Sequence, residues 1–230
     1  MSVITEDEPL DAGLDMIIPF SVSIGGGNAC VTAGKRFRAV AEEFERRFSD
    51  SPCSLEARAF VFDSISDILR GSGYSPDRVA LDMFTVTYML DSFSEIKRNT
   101  DICNVIQLSE AEFSEYENLT EFEPDELFFG NEERFPLFAV LDGNTVVAVS
   151  AVNGNVSDGC AEISADTAEE YRRHGFGRTC VTAVSAYLLE RGISVKYVCF
   201  GDNEASCALA RSVGFHEVNI CFDAVCFADE

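Results

Sequence analysis

The 230-residue chain has no tryptophan, two histidines, and seventeen basic residues against forty acidic ones. Each shortage closes off a class of function. A groove that follows a phosphate backbone needs clustered lysine and arginine. A formal charge of −23 repels such a polyanion, so nucleic acid is not an expected partner. The same charge turns anionic membrane surfaces away and favours cationic partners. No stretch approaches the ~18 consecutive apolar residues that a membrane helix requires. Glu6, Asp7 and Glu8 crowd the first ten residues, where a secretory leader would be basic and then apolar. A cytoplasmic location is therefore expected. His174 and His216 are the only histidines, and the nine cysteines include no Cys-x-x-Cys pair, so no metal site is expected at the usual zinc spacings. Most cysteines lie in apolar runs, as Cys199 does in Tyr197-Val198-Cys199-Phe200, and read as reduced, buried small hydrophobes.

Apolar residues make up 47% of the chain, with nineteen phenylalanines, which is enough to build the core of one large domain or two small ones. Charge divides unevenly. Residues 1–99 hold 16 acidic and 10 basic residues, whereas residues 100–230 hold 24 and 7. The polar stretch 94–101 is the expected linker, separating an N-terminal α/β region (1–99) from a second domain (100–230).

In the first region, residues 17–24 form an apolar strand candidate that ends in Gly25-Gly26-Gly27. Phe37, Val40, Phe44 and Phe48 recur at helical spacing and predict a helix over 35–48. Ser51-Pro52 predicts the start of a second helix, with Ser51 as its cap, the face Leu55, Ala59, Phe62, Ile65 and Leu69, and Gly71 as its stop. Residues 81–90 read as a strand. In the second region, 103–108 is a strand candidate, and Ser109 with Glu112 is a capping box that opens a helix. Residues 135–141 and 145–152 flank the hairpin signal Asp142-Gly143-Asn144. A strand over 161–165 precedes a helix over 175–190, with Val181, Val184 and Leu188 inward and Gly192 as its stop. Residues 195–200 form a strand. Asp202 or Asn203 caps a helix that ends at Gly214, and Val218, Ile220 and Phe222 alternate in a last strand.

The segment Arg172-Arg173-His174-Gly175-Phe176-Gly177-Arg178 holds three of the seven basic residues of the second region within seven positions. It lies where a strand ends and a helix begins. That arrangement leaves backbone N–H groups free and aims the positive end of a helix dipole at one spot. Glycine allows close approach, and arginine adds charge-assisted bonds, so a phosphate or pyrophosphate fits. A glycine-assisted helix start in a solvated basic turn accounts for the same residues equally well. By contrast, Gly34-Lys35 lacks the first glycine and the Ser or Thr of a P-loop, since Ala29 and Arg36 stand there.

Arg172-x-x-Gly175-x-Gly177, preceded by the strand Ala161–Ala165, resembles the [QR]-x-x-G-x-[GA] signature of the GNAT superfamily of acyl-CoA N-acyltransferases. Asn203-x-x-Ser206-x-x-Leu209, followed by Val213-Gly214-Phe215, resembles the family's next segment, about 30 residues on. The resemblance covers residues 100–230. It implies an α/β (α+β) fold, a twisted mixed sheet flanked by helices whose central strands splay apart, beside a smaller N-terminal α/β region. It also implies acetyl-CoA as co-substrate. Ala165 and Thr167 would meet the pantetheine arm, Arg172, Arg173, His174, Gly175, Phe176, Gly177 and Arg178 the pyrophosphate, and Asn203 and Ser206 the cofactor's other side.

The implied reaction is direct attack of a primary amine on the thioester, which needs a base for the ammonium proton and an acid for the thiolate. Glu162 is the candidate base, and an outward Glu on a sheet face is the alternative. Many members of the superfamily carry a tyrosine as acid where this chain has Ala210. That departure keeps open a second reading, an acyl-CoA-binding module without catalysis whose residues 1–99 regulate or bind a partner. Residues 1–99 are otherwise expected to cover the acceptor cleft or form a homodimer contact. The eight carboxylates over 110–126, with no basic residue among them, suit recruitment of a cationic small-molecule or peptide amine, or simply a solvated helix face.

Overall fold

The computed structural model describes residues 1–6, 16–69, 74–80, 84–97, 104–122 and 135–228. The chain runs β1 (Ser2–Glu6), β2 (Met16–Gly25), β3 (Asn28–Gly34), α1 (Arg38–Phe48), α2 (Leu55–Leu69), β4 (Tyr74–Ala80), β5 (Thr85–Leu90), β6 (Val105–Leu108) and α3 (Glu110–Phe113). It continues with β7 (Glu117–Asn118), β8 (Leu137–Asp142), β9 (Thr145–Ser157), β10 (Cys160–Thr167), α4 (Phe176–Leu189), β11 (Ser194–Phe200), α5 (Glu204–Val213) and β12 (His216–Ala228). Two compact units result, one of residues 1–86, 200–202 and 218–230, the other of 87–199 and 203–217.

In the first unit the strand order is β1-β3-β2-β12, with β4 on the other edge of β12. Gly26 and Gly27 both take left-handed φ (57° and 79°), so the triple glycine is the tight turn of the β2–β3 hairpin. Phe37, Val40, Phe44 and Phe48 are all buried, as their spacing predicts. Phe44 is the hub, its ring lying 5.3–6.0 Å from those of Phe20, Phe48 and Phe222. Such aromatic pairs contribute about 0.5–1.5 kcal/mol each beyond area burial.

The second helix differs from its sequence reading. Ser54, not Ser51, opens it, accepting the Ala57 N–H at 3.2 Å. The buried face is Ala57, Arg58, Val61, Ile65 and Leu69, while Leu55 and Ala59 are exposed. The serine next to the first helical residue wins because the chain needs Pro52 and Cys53 for a turn. Gly71, residues 81–83 and 98–101, Cys103 and the last three carboxylates of the 110–126 stretch, Glu123, Asp125 and Glu126, lie outside the described residues.

The second unit orders its strands β5-β11-β10-β9-β8-β6, with β7 parallel to β9. Two-residue turns make both hairpins. Gly143 (φ 63°) and Asn144 join β8 to β9, and Asp158 (φ 51°) and Gly159 (φ 74°) join β9 to β10. Helix α4 crosses from β10 to β11, which pair in parallel. Its Cys180 packs on Val140, Val147 and Ala148. The opposite face of the sheet buries Leu137, Ala139, Val146, Val149 and Ala151 against Phe113 and Phe122. The mixed sheet is thus covered on both faces. Ser109 and Glu112 form the expected capping box, but the helix they open is one turn long, and the chain then enters β7. The acidic stretch is therefore not one helix face.

Candidate functional site

Strands β10 and β11 pair only from Cys160–Ser194 to Ile163–Tyr197. β10 nevertheless runs on to Thr167 and β11 to Phe200. Beyond Ile163 and Tyr197 their facing edges form no ladder, so the centre of the sheet opens into a wedge. On its other edge β10 stays paired with β9 as far as Thr167–Ala148. Register assigns the faces. Ala165 (opposite Ser150) and Thr167 (opposite Ala148) share the α4 face, whereas Glu162 (opposite Asn153), Ser164 (opposite Ala151) and Asp166 share the other.

The loop from Arg172 to Arg178 follows the open end of β10. Arg173 is a non-glycine residue at φ 66°, and Gly175 sits at φ 83° as the N-cap of α4. The Gly175 side contributes no capping oxygen, and the first turn of α4 carries no acidic residue. The first helical bond is Thr179 N–H to Gly175 O at 3.0 Å. The N–H groups of Phe176, Gly177 and Arg178 therefore have no intrahelical acceptor, and a left-handed residue leading into a helix turns them toward one side. Arg172 Nε donates to Thr167 O (3.1 Å), tying the loop to the strand end. His174 Nδ1 donates to Tyr171 O (3.2 Å), and its ring stacks on Phe176. The Tyr171 hydroxyl donates to Asp142 (2.6 Å), a bond that raises its pKa above the usual value.

Arg178 is half-buried. One Nη reaches Lys97 O at 3.5 Å, and its Nε is buried with no hydrogen-bond partner. Lys97 is itself fixed to the end of α5, through Lys97 N–H to Val213 O at 2.7 Å. Gly177 faces Thr167, and a Cβ there would stand 2.8 Å from Thr167 Oγ1. The second glycine of the motif thus permits close packing of α4 on β10. The chain's donors on this side are a row of free N–H groups, the edge of β10 and four cationic or titratable side chains, Arg172, Arg173, His174 and Arg178. They suit a ligand with a pyrophosphate at one end and an extended amide arm.

Across the wedge, Asn203 Oδ1 accepts the Ser206 N–H (3.0 Å) and caps α5. Ser206 Oγ lies 2.7 Å from the hydroxyl of Tyr197, which is buried and whose pKa burial raises. The alternation Val195-x-Tyr197 marks an inward side chain, but nothing local signals that it meets Ser206. Ala210 is wholly buried. Glu162 is paired with Lys196 Nζ at 2.8 Å and receives Asn153 Nδ2 at 3.5 Å. Asp166 accepts two backbone N–H groups, those of Glu121 and Thr167, both at 2.7 Å. His216 is exposed, 3.9 Å from Asp91. Among the described residues no three His, Cys, Asp or Glu side chains gather as a metal site requires. No described helix is long and apolar enough to cross a membrane.

The sequence model of the family described as GNAT acetyltransferase matches residues 21–220. The match begins well before residue 100, where the motif resemblance read from the sequence starts. Among solved structures, a GNAT-family protein from Novosphingobium aromaticivorans is 17% identical over 66% of this chain and 68% of its own, with a TM-score of 0.49. A GNAT-family acetyltransferase from Colwellia psychrerythraea is 14% identical over 66% of this chain and 59% of its own, with a TM-score of 0.50, a likeness of fold. No curated protein matches the chain by sequence.

Proposed function

The chain belongs to the GNAT acetyltransferase family, and on that premise we propose that it transfers an acetyl group from acetyl-CoA to a primary amine by direct attack. The observation that carries the proposal is the end of the β10–β11 ladder at Ile163–Tyr197, directly beside the uncapped, arginine-rich start of α4. Acetyl-CoA supplies the activated acyl carbon. The first-turn N–H groups of α4, with Arg172, Arg173, His174 and Arg178, hold the pyrophosphate. The edge of β10 at Ala165, beyond the end of its ladder with β11, pairs with the pantetheine amides, which pass Thr167 at the strand end. Asn203 and Ser206 close the opposite side.

Glu162 is the base in this reading. Of the carboxylates on its face of β10, Asp166 is held by two backbone N–H groups at 2.7 Å, while, among the described residues, Glu162 Oε1 is met only by Asn153 Nδ2 at 3.5 Å and Oε2 by Lys196. The acceptor is a cationic small molecule or peptide amine, drawn by the acidic surface that includes residues 110–121. Residues 1–99 serve the acceptor side or a homodimer contact, and the protein works in the cytoplasm.

The buried Ala210 favours a second reading, acyl-CoA binding without turnover. Thiol release from acetyl-CoA, measured against a panel of primary amines, separates the two. Amine-dependent release supports transfer. Tight CoA binding without release leaves the binding module.

A further inference from the structure

A thiolate that leaves an acyl carbon needs a proton or a hydrogen-bond donor, and Ala210 offers neither. The structure holds another donor. Tyr197 occupies the last rung of the β10–β11 ladder, so its side chain marks the apex of the wedge. Its ring is buried against Phe215, and its hydroxyl lies 2.7 Å from Ser206 Oγ. Ser206 sits in the first turn of α5, oriented by the Asn203 cap, and is half-buried. It faces the part of β11 that has lost its partner strand, where it also interacts with Cys199.

We propose that the Ser206 hydroxyl, backed by Tyr197, donates to the sulfur of the leaving thiol, an assignment that rests on the acetyltransferase reading above. The nitrogen–carbon bond forms as the carbon–sulfur bond breaks, and sulfur keeps the electron pair. The ammonium proton passes to the base. Ser206 Oγ–H, with Tyr197 Oη–H donating to Oγ, holds the departing thiolate by a hydrogen bond, and the sulfur takes its proton from water as it leaves. Tyrosine is the more acidic hydroxyl, so it donates within the pair. Burial keeps it protonated across the working range. The neighbouring titratable groups are Cys199 on β11, Cys207 on α5 and the more distant Arg211. Burial pushes the Cys199 thiol up to about 12, so it holds no competing negative charge.

The test uses the full chain, with CoA and desulfo-CoA as probes, and compares wild type with Ser206→Ala and Tyr197→Phe. Both changes keep the fold's apolar contacts. The ultraviolet absorbance of the bound thiolate gives the pKa of CoA's thiol on the protein. Wild type is expected to lower it by about one unit or more. Ser206→Ala should return it to the free value, and Tyr197→Phe should do so in part, with all three proteins still binding desulfo-CoA. Turnover with acetyl-CoA should fall about a hundredfold in Ser206→Ala. A thiol pKa that is the same in wild type and Ser206→Ala, with desulfo-CoA still bound, would overturn the assignment. Failure of wild type to bind either probe would instead overturn the acetyltransferase reading, and this assignment with it.

Discussion

Glu162 and Lys196 stand in register on adjacent parallel strands, and their side chains meet at 2.8 Å. Both are partly exposed, so the pair contributes at most about 1 kcal/mol to stability. Its consequence is chemical. In the proposed reaction, a base held by an ammonium group must loosen that contact before it takes a proton. Glu162→Gln keeps shape and removes basicity, and should lower kcat about 10²–10⁴-fold with CoA affinity intact. Lys196→Met should leave kcat at or above the wild-type value. Steady-state kinetics over an amine panel, with calorimetric CoA titration, reads both. Wild-type turnover in Glu162→Gln would reduce the pair to a sheet-surface contact.

Gly177 packs on Thr167 with no room for a methyl group, since a Cβ would lie 2.8 Å from Thr167 Oγ1. Gly177→Ala should therefore destabilise the protein by about 1–3 kcal/mol through overpacking. Adding Thr167→Ala removes the clashing oxygen and should recover most of that loss. Urea denaturation of the two single variants and the double variant measures the coupling. Additive losses would show that the helix does not press on this strand end.

Arg172 and Arg173 are exposed, so the charge they lend the proposed CoA site is screened by salt. Arg173→Ala should weaken CoA binding about threefold to tenfold in dilute buffer, and the difference should shrink at high ionic strength. Arg172→Ala should cost more, because it also unties the loop from Thr167 O. Calorimetric titrations at two salt concentrations check the order. Equal losses at both concentrations would argue for a packing role.

Burial pushes the thiol of Cys199 up to about 12 and that of Cys221 up to about 11, and raises Tyr88 as well. In each case the folded state holds a proton that the unfolded chain gives up earlier, near pH 8.5 for cysteine. This stability is fully present below about pH 8.5 and is lost as pH rises toward the folded values. The urea midpoint should accordingly fall between pH 8 and pH 10.5. In native protein at pH 8, Cys199 should alkylate about a thousandfold more slowly than a free cysteine. Peptide-resolved mass spectrometry reads that rate, and alkylation as fast as in unfolded protein would contradict the burial.

Much of the local structure was legible in the sequence because its causes are local. Gly143, Gly175, Gly192 and Gly214 all adopt positive φ at the turns and helix ends where the sequence places them. The Ser109–Glu112 box and the Asn203 cap need only a few neighbouring residues to form. The spacing of Phe37, Val40, Phe44 and Phe48 suffices to bury one helix face. The strands β1 and β3 were not legible. Ser2–Glu6 and Asn28–Gly34 lack a run of alternating large apolar residues, and it is pairing, in parallel over Ser2–Glu6, that makes them strands.

The sequence by itself determined the helix start at Gly175, because glycines and a strand-to-helix turn within seven residues carry their own geometry. Only the tertiary structure decided what surrounds it. Glu162 and Lys196 are 34 residues apart, Tyr197 and Ser206 are separated by a turn, and Thr167 meets Gly177 across a strand–helix interface. No periodicity encodes those meetings. They depend on the register of two parallel strands joined by a crossover helix, and on the point, at Ile163 and Tyr197, where that register ends. Hydrogen bonding between distant strands sets that point, and the wedge it opens exists only once the sheet has formed.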